Sequence, residues 1–130
     1  MTTAGLWLAH HRLVAVLVGP DGVAHRTLRA ALTDDARFGL LEFLVQSQVE
    51  MVTTDTLARS DPLPAQAARR GLAVWKADDS LVAALFRSAA IRDPTRAAAL
   101  LARLPRIPLL RASLRRLLPP AAQAHQLSLL

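Results

Sequence analysis

Two periodicities divide this chain. Residues 3–9 and 13–18 are short apolar runs rich in strand-forming residues, separated by His10-His11-Arg12, which reads as a tight connection. Gly19-Pro20-Asp21-Gly22 follows as a turn, with Pro20 setting φ and glycine available for positive φ. Val23, His25, Thr27 and Arg29 then alternate with Ala24, Arg26, Leu28 and Ala30, the two-residue period of a half-exposed third strand. Three strands joined by short turns predict an antiparallel meander.

After Ala31 the period lengthens. Thr33 is a good N-cap, Asp34 and Asp35 suit the positive end of a helix dipole, and Phe38, Leu41, Leu44 and Val45 share a helical face. Residues 50–54 form a short buried strand. Asp61-Pro62 opens a second helix that Gly71 closes, and residues 72–76 form a fifth strand. Asp79 or Ser80 starts a helix carrying Leu81, Val82, Leu85 and Phe86, and Asp93-Pro94 starts another with Leu100, Leu101 and Leu104.

Later strands separated by helices run parallel through right-handed crossovers. The expected fold class is therefore α/β, a mixed five-stranded sheet in the order 3-2-1-4-5 with helices on both faces, spanning residues 1–104. Beyond Leu104, prolines 105, 108, 119 and 120 bracket a segment with Leu110, Leu114 and Leu117 as an apolar stripe. It predicts an amphipathic helix over 105–120, packed on the domain or presented to a partner. Residues 121–130 lack periodicity, and a mobile tail is expected.

Charge adds an asymmetry. The 130 residues carry a net charge of +6, yet residues 1–80 hold eight basic and nine acidic groups, while residues 81–130 hold eight arginines against Asp93 alone. Such a split fits an anionic partner for the C-terminal part, or a set of solvated helix faces; charge by itself does not choose. There is no cysteine, hence no disulfide framework or thiolate metal site. No apolar run has the length of a membrane span and no secretory signal is visible, so a soluble cytoplasmic protein is expected.

With its β-hairpin start, this order of elements resembles the ribonuclease H-like superfamily, and within it the N-terminal resolvase-like domain of insertion-sequence transposases with an Asp-Glu-Asp-Asp site. Gly5-Leu6-Trp7 stands where those domains carry Gly-Ile-Asp. Val52-Thr53-Thr54-Asp55-Thr56 stands where their fourth strand ends in Glu. Arg70-Gly71-Leu72-Ala73-Val74 matches their passage from helix to strand, and Arg92-Asp93-Pro94-Thr95-Arg96-Ala97 stands at their Thr-Asp-x-x-Asp-Ala run. The likeness covers residues 4–104. It implies catalytic and metal-binding roles at Asp55 and Asp93, but puts Trp7 and Arg96 at the other two acidic positions.

A two-metal phosphodiesterase needs several carboxylates around cations about 4 Å apart, and magnesium demands hard oxygen ligands. Trp7 offers none, and Arg96 would repel a cation. Asp55 and Asp93, with Asp78 beyond the fifth strand as a third carboxylate, would hold at most a weakly bound Mg2+; otherwise no cofactor is expected. For Asp61, Asp79 and Asp93 helix capping is the favoured account, since their contexts already explain them. His10 and His11 are neighbours and point apart, which suits a solvated turn. Trp7 and Trp75 fall in strands and are expected in the core.

The expected function is a catalytically impaired ribonuclease H-like domain associated with nucleic acid or a nucleoprotein through Arg92, Arg96, Arg103, Arg106, Arg111, Arg115 and Arg116. The alternatives are an assembly module that self-associates or binds a protein through the Leu-rich C-terminal helix, and a metal-dependent nuclease or transposase fragment with rearranged carboxylates.

Overall fold

A computed structural model describes residues 1–9, 11–55, 60–88 and 93–117. Its centre is β1 (Thr3–Ala9), which pairs antiparallel with β2 (Arg12–Val18), itself antiparallel to β3 (Ala24–Ala31). The turn between β2 and β3 is closed by Gly22 N–H donating to Gly19 O (3.0 Å) and by Val23 N–H donating to Asp21 Oδ1 (3.1 Å). On its other side β1 pairs in parallel with β4 (Met51–Thr54), and β4 in parallel with β5 (Ala73–Ala77). A sixth strand, β6 (Leu114–Leu117), pairs antiparallel with β5, giving the order β3-β2-β1-β4-β5-β6.

The helices divide between the two faces. Leu13, Ala15 and Leu17 of β2, Ala4 and Leu6 of β1, Val52 and Val74 pack with Leu40, Leu41 and Leu44 of α1 (Asp34–Gln46) and Leu63 and Ala67 of α2 (Leu63–Arg69). The alternate residues of β2, Val14, Val16 and Val18, pack on Ala98 and Ala102 of α4 (Pro94–Arg103). Residues 13–18 are thus buried on both sides, which explains why they form an unbroken apolar run. Between β5 and α4 lies α3 (Asp79–Ser88), whose Leu81 and Val82 pack with Ala77, Leu101 and Leu104 on the α4 face.

Local chemistry sets the helix starts. Thr33 Oγ1 accepts from Ala36 N–H at 3.3 Å. Asp61 Oδ1 accepts from Leu63 N–H (2.9 Å), while its carboxylate pairs with Arg37 (Nη2 to Oδ2, 3.0 Å) and joins the two helix starts. Of the face expected for α1, Leu41 and Leu44 are buried and Val45 packs on the same core, but Phe38 is 63% exposed; the inward stripe runs through Leu40, Leu41 and Leu44, with Arg37 beside it paired to Asp61.

The sheet has six strands, not five, and the expected helix over 105–120 does not form across the described residues. A 3-10 turn at Leu104–Arg106 is followed by a single helical turn, α5 (Pro108–Arg111), and then by β6. Prolines 105 and 108 restart the backbone twice, and Asp78 N–H donates to Ser113 O (3.2 Å) where the chain turns into β6. The open hydrogen-bonding edge of β5 then recruits residues 114–117, a tertiary demand that overrides the helical leucine spacing. Leu114 and Leu117 consequently fall on opposite faces, Leu114 buried with Ala77 and Leu117 against the α1–α2 side. No helix among the described residues is long and apolar enough to cross a membrane. Residues 118–130, with the expected tail, lie outside the described residues.

Candidate functional site

The parallel strands β1, β4 and β5 bring their C-terminal ends to one edge of the sheet, where ligand sites of open α/β sheets form. In the β1–β4 register Gly5 lies beside Thr53 and Leu6 beside Thr54, so the next step sets Trp7 level with Asp55. Alternation directs both toward the face carrying α4. Asp55 is 1% exposed. Trp7 is half-buried and packs at the junction of the Val14–Val16–Val18–Ala98 cluster and the Leu101–Leu104–Leu114 cluster. On the same face, Thr53 Oγ1 and Trp75 Nε1 are buried without a hydrogen bond among the described residues.

Helix α4 crosses β1 at this site because of Gly5. A Cβ there would meet Ala98 O at 1.9 Å and Ala102 N at 2.6 Å, so only a hydrogen at this position lets the helix backbone approach so closely. Opposite it, α4 presents Ala97, Ala98 and Ala102, all buried. The start of α4 is fixed by Asp93, whose Oδ1 accepts from Thr95 N–H at 2.9 Å while the residue stays exposed.

Asp55, Asp78 and Asp93 are therefore placed quite differently. Asp55 is enclosed at the end of β4, Asp93 is committed to a helix cap, and Asp78 is exposed, its carbonyl accepting from Val82 N–H (2.9 Å) as α3 begins. Among the described residues no three His, Asp or Glu side chains gather in a way that could hold a metal ion. The carboxylates expected to act together do not form one cluster.

The arginines separate too. Arg96 is exposed and Arg103 half-exposed, two helical turns apart on α4, about 10.5 Å along its axis. Arg106 turns inward. Its Nη2 donates to the carbonyls of Met1 (2.7 Å), Val18 (3.0 Å) and Gly19 (2.7 Å), and its Nε to Thr3 Oγ1 (3.3 Å). Thr3 Oγ1 in turn donates to Ala102 O at 2.7 Å. Arg106 thus ties the ends of β1, β2 and α4 together, and its place in the expected anion-binding set is withdrawn. Arg111, Arg115 and Arg116 are exposed at the β6 edge, but Arg115 and Arg116 are consecutive in a strand and point to opposite faces, so no single helical row contains them. Arg92 lies outside the described residues.

Sequence reasoning missed two basic residues on the α4 face. Arg12 of β2 and Arg29 of β3 are exposed and diagonal neighbours, roughly 7–8 Å apart between Cα atoms. Arg29 Nη2 donates to Thr95 Oγ1 at 3.1 Å, which brings β3 against the start of α4. Arg12, with His11, Ala9 and Pro94, lines a depression beside it. The alternation of β3 already placed His25, Thr27 and Arg29 on one side; what it lacked was the identity of the helix across from them. Together Arg12, Arg29, Arg96 and Arg103 give this face four positive charges from both halves of the chain.

No protein-family profile matches this chain, and a search of curated proteins finds no significantly similar sequence.

Proposed function

We propose that the chain is a ribonuclease H-like domain that holds nucleic acid by its phosphate backbone and lacks two-metal nuclease chemistry. The observation that carries this reading is the end of the β1–β4 register at Leu6–Thr54, which leaves Trp7 and Asp55 as the next residues of the two strands at the sheet edge, Asp55 being 1% exposed. The sheet order through β5 and the helix crossing the central strand support the superfamily assignment. A phosphodiester at that edge would meet an indole and a buried carboxylate where hydrolysis needs open oxygen ligands for two cations. Binding falls instead to the α4 face, where Arg12, Arg29, Arg96 and Arg103 offer guanidinium forks suited to phosphate oxygens.

Each phosphate neutralised releases counterions, so affinity for duplex should fall steeply with salt and depend little on sequence. Fluorescence anisotropy with a labelled duplex across a salt series tests this. Replacing Arg12, Arg29, Arg96 and Arg103 by Gln should lower affinity and flatten the log–log salt slope by roughly one unit for each phosphate no longer neutralised. Absence of binding to duplex or single strand at low salt rejects the nucleic-acid reading. Mg2+- or Mn2+-dependent cleavage abolished by Asp55→Asn rejects the impaired-site reading.

A further inference from the structure

On the opposite face of the sheet, α1 and α2 leave a cleft of about 510 Å³ between them. Both helices lead into parallel strands, β4 and β5, so they run in the same direction. Arg37–Asp61 near their starts and Arg70–Glu42 further along link them in that register. Charge is consequently sorted along the cleft. Asp34 and Asp35 stand at the first turn of α1, Arg69 and Arg70 at the last turn of α2, and Phe38 and Leu41 lie between. Phe38 is 63% exposed, an aromatic surface left to water in the middle of a charged groove. Asp35 and Arg69 are exposed and have no ion-pair partner among the described residues.

A two-fold contact requires a surface complementary to itself: whatever stands on one side of the axis must suit what stands on the other. This cleft meets the condition. Rotation by 180° about an axis through Phe38 reverses the helices, sets the acidic end of one copy against the basic end of the other, and brings the two Phe38 rings together. The helix dipoles of the two copies then also oppose one another favourably. We infer that the α1–α2 cleft is the contact between two copies of this chain, with Phe38 at its centre and reciprocal Asp35–Arg69 pairs on either side. The contact leaves the α4 face of each copy turned outward, so it does not depend on the nucleic-acid reading.

Sedimentation equilibrium of the full chain over a concentration series up to roughly 1 mM, without nucleic acid, tests this. The wild type should dimerise, more weakly as salt rises. Phe38→Gln, at an exposed helical position, should weaken association about 30-fold or more with an unchanged circular dichroism spectrum. Asp35→Arg and Arg69→Asp should each be monomeric alone, and mixing them should restore a heterodimer, because each chain then carries the same sign at positions 35 and 69 and the two chains carry opposite signs. A wild type that stays monomeric over the whole range, a dimer that survives Phe38→Gln, or an equimolar mixture of the two charge variants that does not associate would each overturn the proposal. The first outcome leaves the cleft to a different protein; the second moves the contact to another surface.

Discussion

Gly5 and Ala98 are in backbone contact: a methyl group on Gly5 would sit 1.9 Å from the Ala98 carbonyl oxygen. The central strand and the helix that crosses it therefore approach backbone to backbone, and the volume of one Cβ decides the distance. Gly5→Ala should force α4 away from β1 and β2 and loosen the packing of Val14, Val16 and Val18. Overpacking of this kind costs about 1–3 kcal/mol, readable in urea denaturation. Gly39→Ala is the control, since a Cβ there meets nothing within 4 Å in the middle of α1; it should stabilise by roughly 0.5–1 kcal/mol.

Arg106 should matter for folding and not for binding. Its guanidinium satisfies three backbone carbonyls and the Thr3 hydroxyl, and a hydrogen bond made by a charged group contributes about 1.5–3 kcal/mol. Arg106→Gln should lower the urea midpoint, and Arg106→Lys should rescue it only in part, because an ammonium cannot span the same fork. The salt slope of duplex binding should be unchanged in whichever variant folds. A slope flattened by one unit would return Arg106 to the phosphate-contacting set.

The Arg37–Asp61 pair should separate two roles of one carboxylate. Asp61→Asn keeps an oxygen for Leu63 N–H but removes the charge opposite Arg37, whose side chain is 13% exposed. Asp61→Ala removes both. The alanine variant should lose about 2–4 kcal/mol and the asparagine variant roughly half of that, measured by thermal or urea unfolding at neutral pH.

The Arg70–Glu42 pair gives a pH signature. The hydrogen bond from Arg70, helped by its charge and opposed by partial burial, holds the Glu42 carboxyl below its ordinary range. A carboxylate with a lowered folded pKa contributes stability above its unfolded pKa and loses it as pH falls through the folded value. Glu42→Gln should therefore narrow the difference in stability between neutral pH and the acid limb. Because the pair is solvent-exposed, the change should be small and should shrink further in salt. Urea midpoints measured between neutral and acid pH for both proteins provide the check.

The meander, the crossover strands and their order were legible because each strand in them carries its own signal: the turn after Val18, the alternation of β3, the caps at Thr33, Asp61 and Asp93. The ending of the sheet was not. Leu110, Leu114 and Leu117 have helical spacing, but the vacant edge of β5, a feature with no local trace in residues 105–117, decides their conformation. Phe38 shows the same limit: it has helical spacing with Leu41 and Val45, yet the helix packs inward through Leu40, Leu41 and Leu44, with Arg37 drawn to Asp61, 24 residues away, and leaves Phe38 outside. At the candidate site, the sequence identified Asp55 as distinct from the capping aspartates, and the fold encloses it. The Arg12–Arg29–Arg96–Arg103 grouping needed the third dimension, since its members are drawn from strands and a helix more than sixty residues apart.

The bond from Thr3 to Ala102 joins residues 99 positions apart, and that from Arg106 to Thr3 spans 103. The helix that covers the first strand and the clasp that holds it both come from residues far along the chain from it. Until they dock, a β1–β2–β3 sheet exposes Val14, Val16 and Val18 on one side, an adhesive surface with nothing to cover it. Folding of this kind is governed by chain closure and belongs to the slow, non-local regime. A chain cut short between β3 and α4 would keep the meander but leave its Val14–Val16–Val18 face uncovered, a species for chaperones and proteases to deal with.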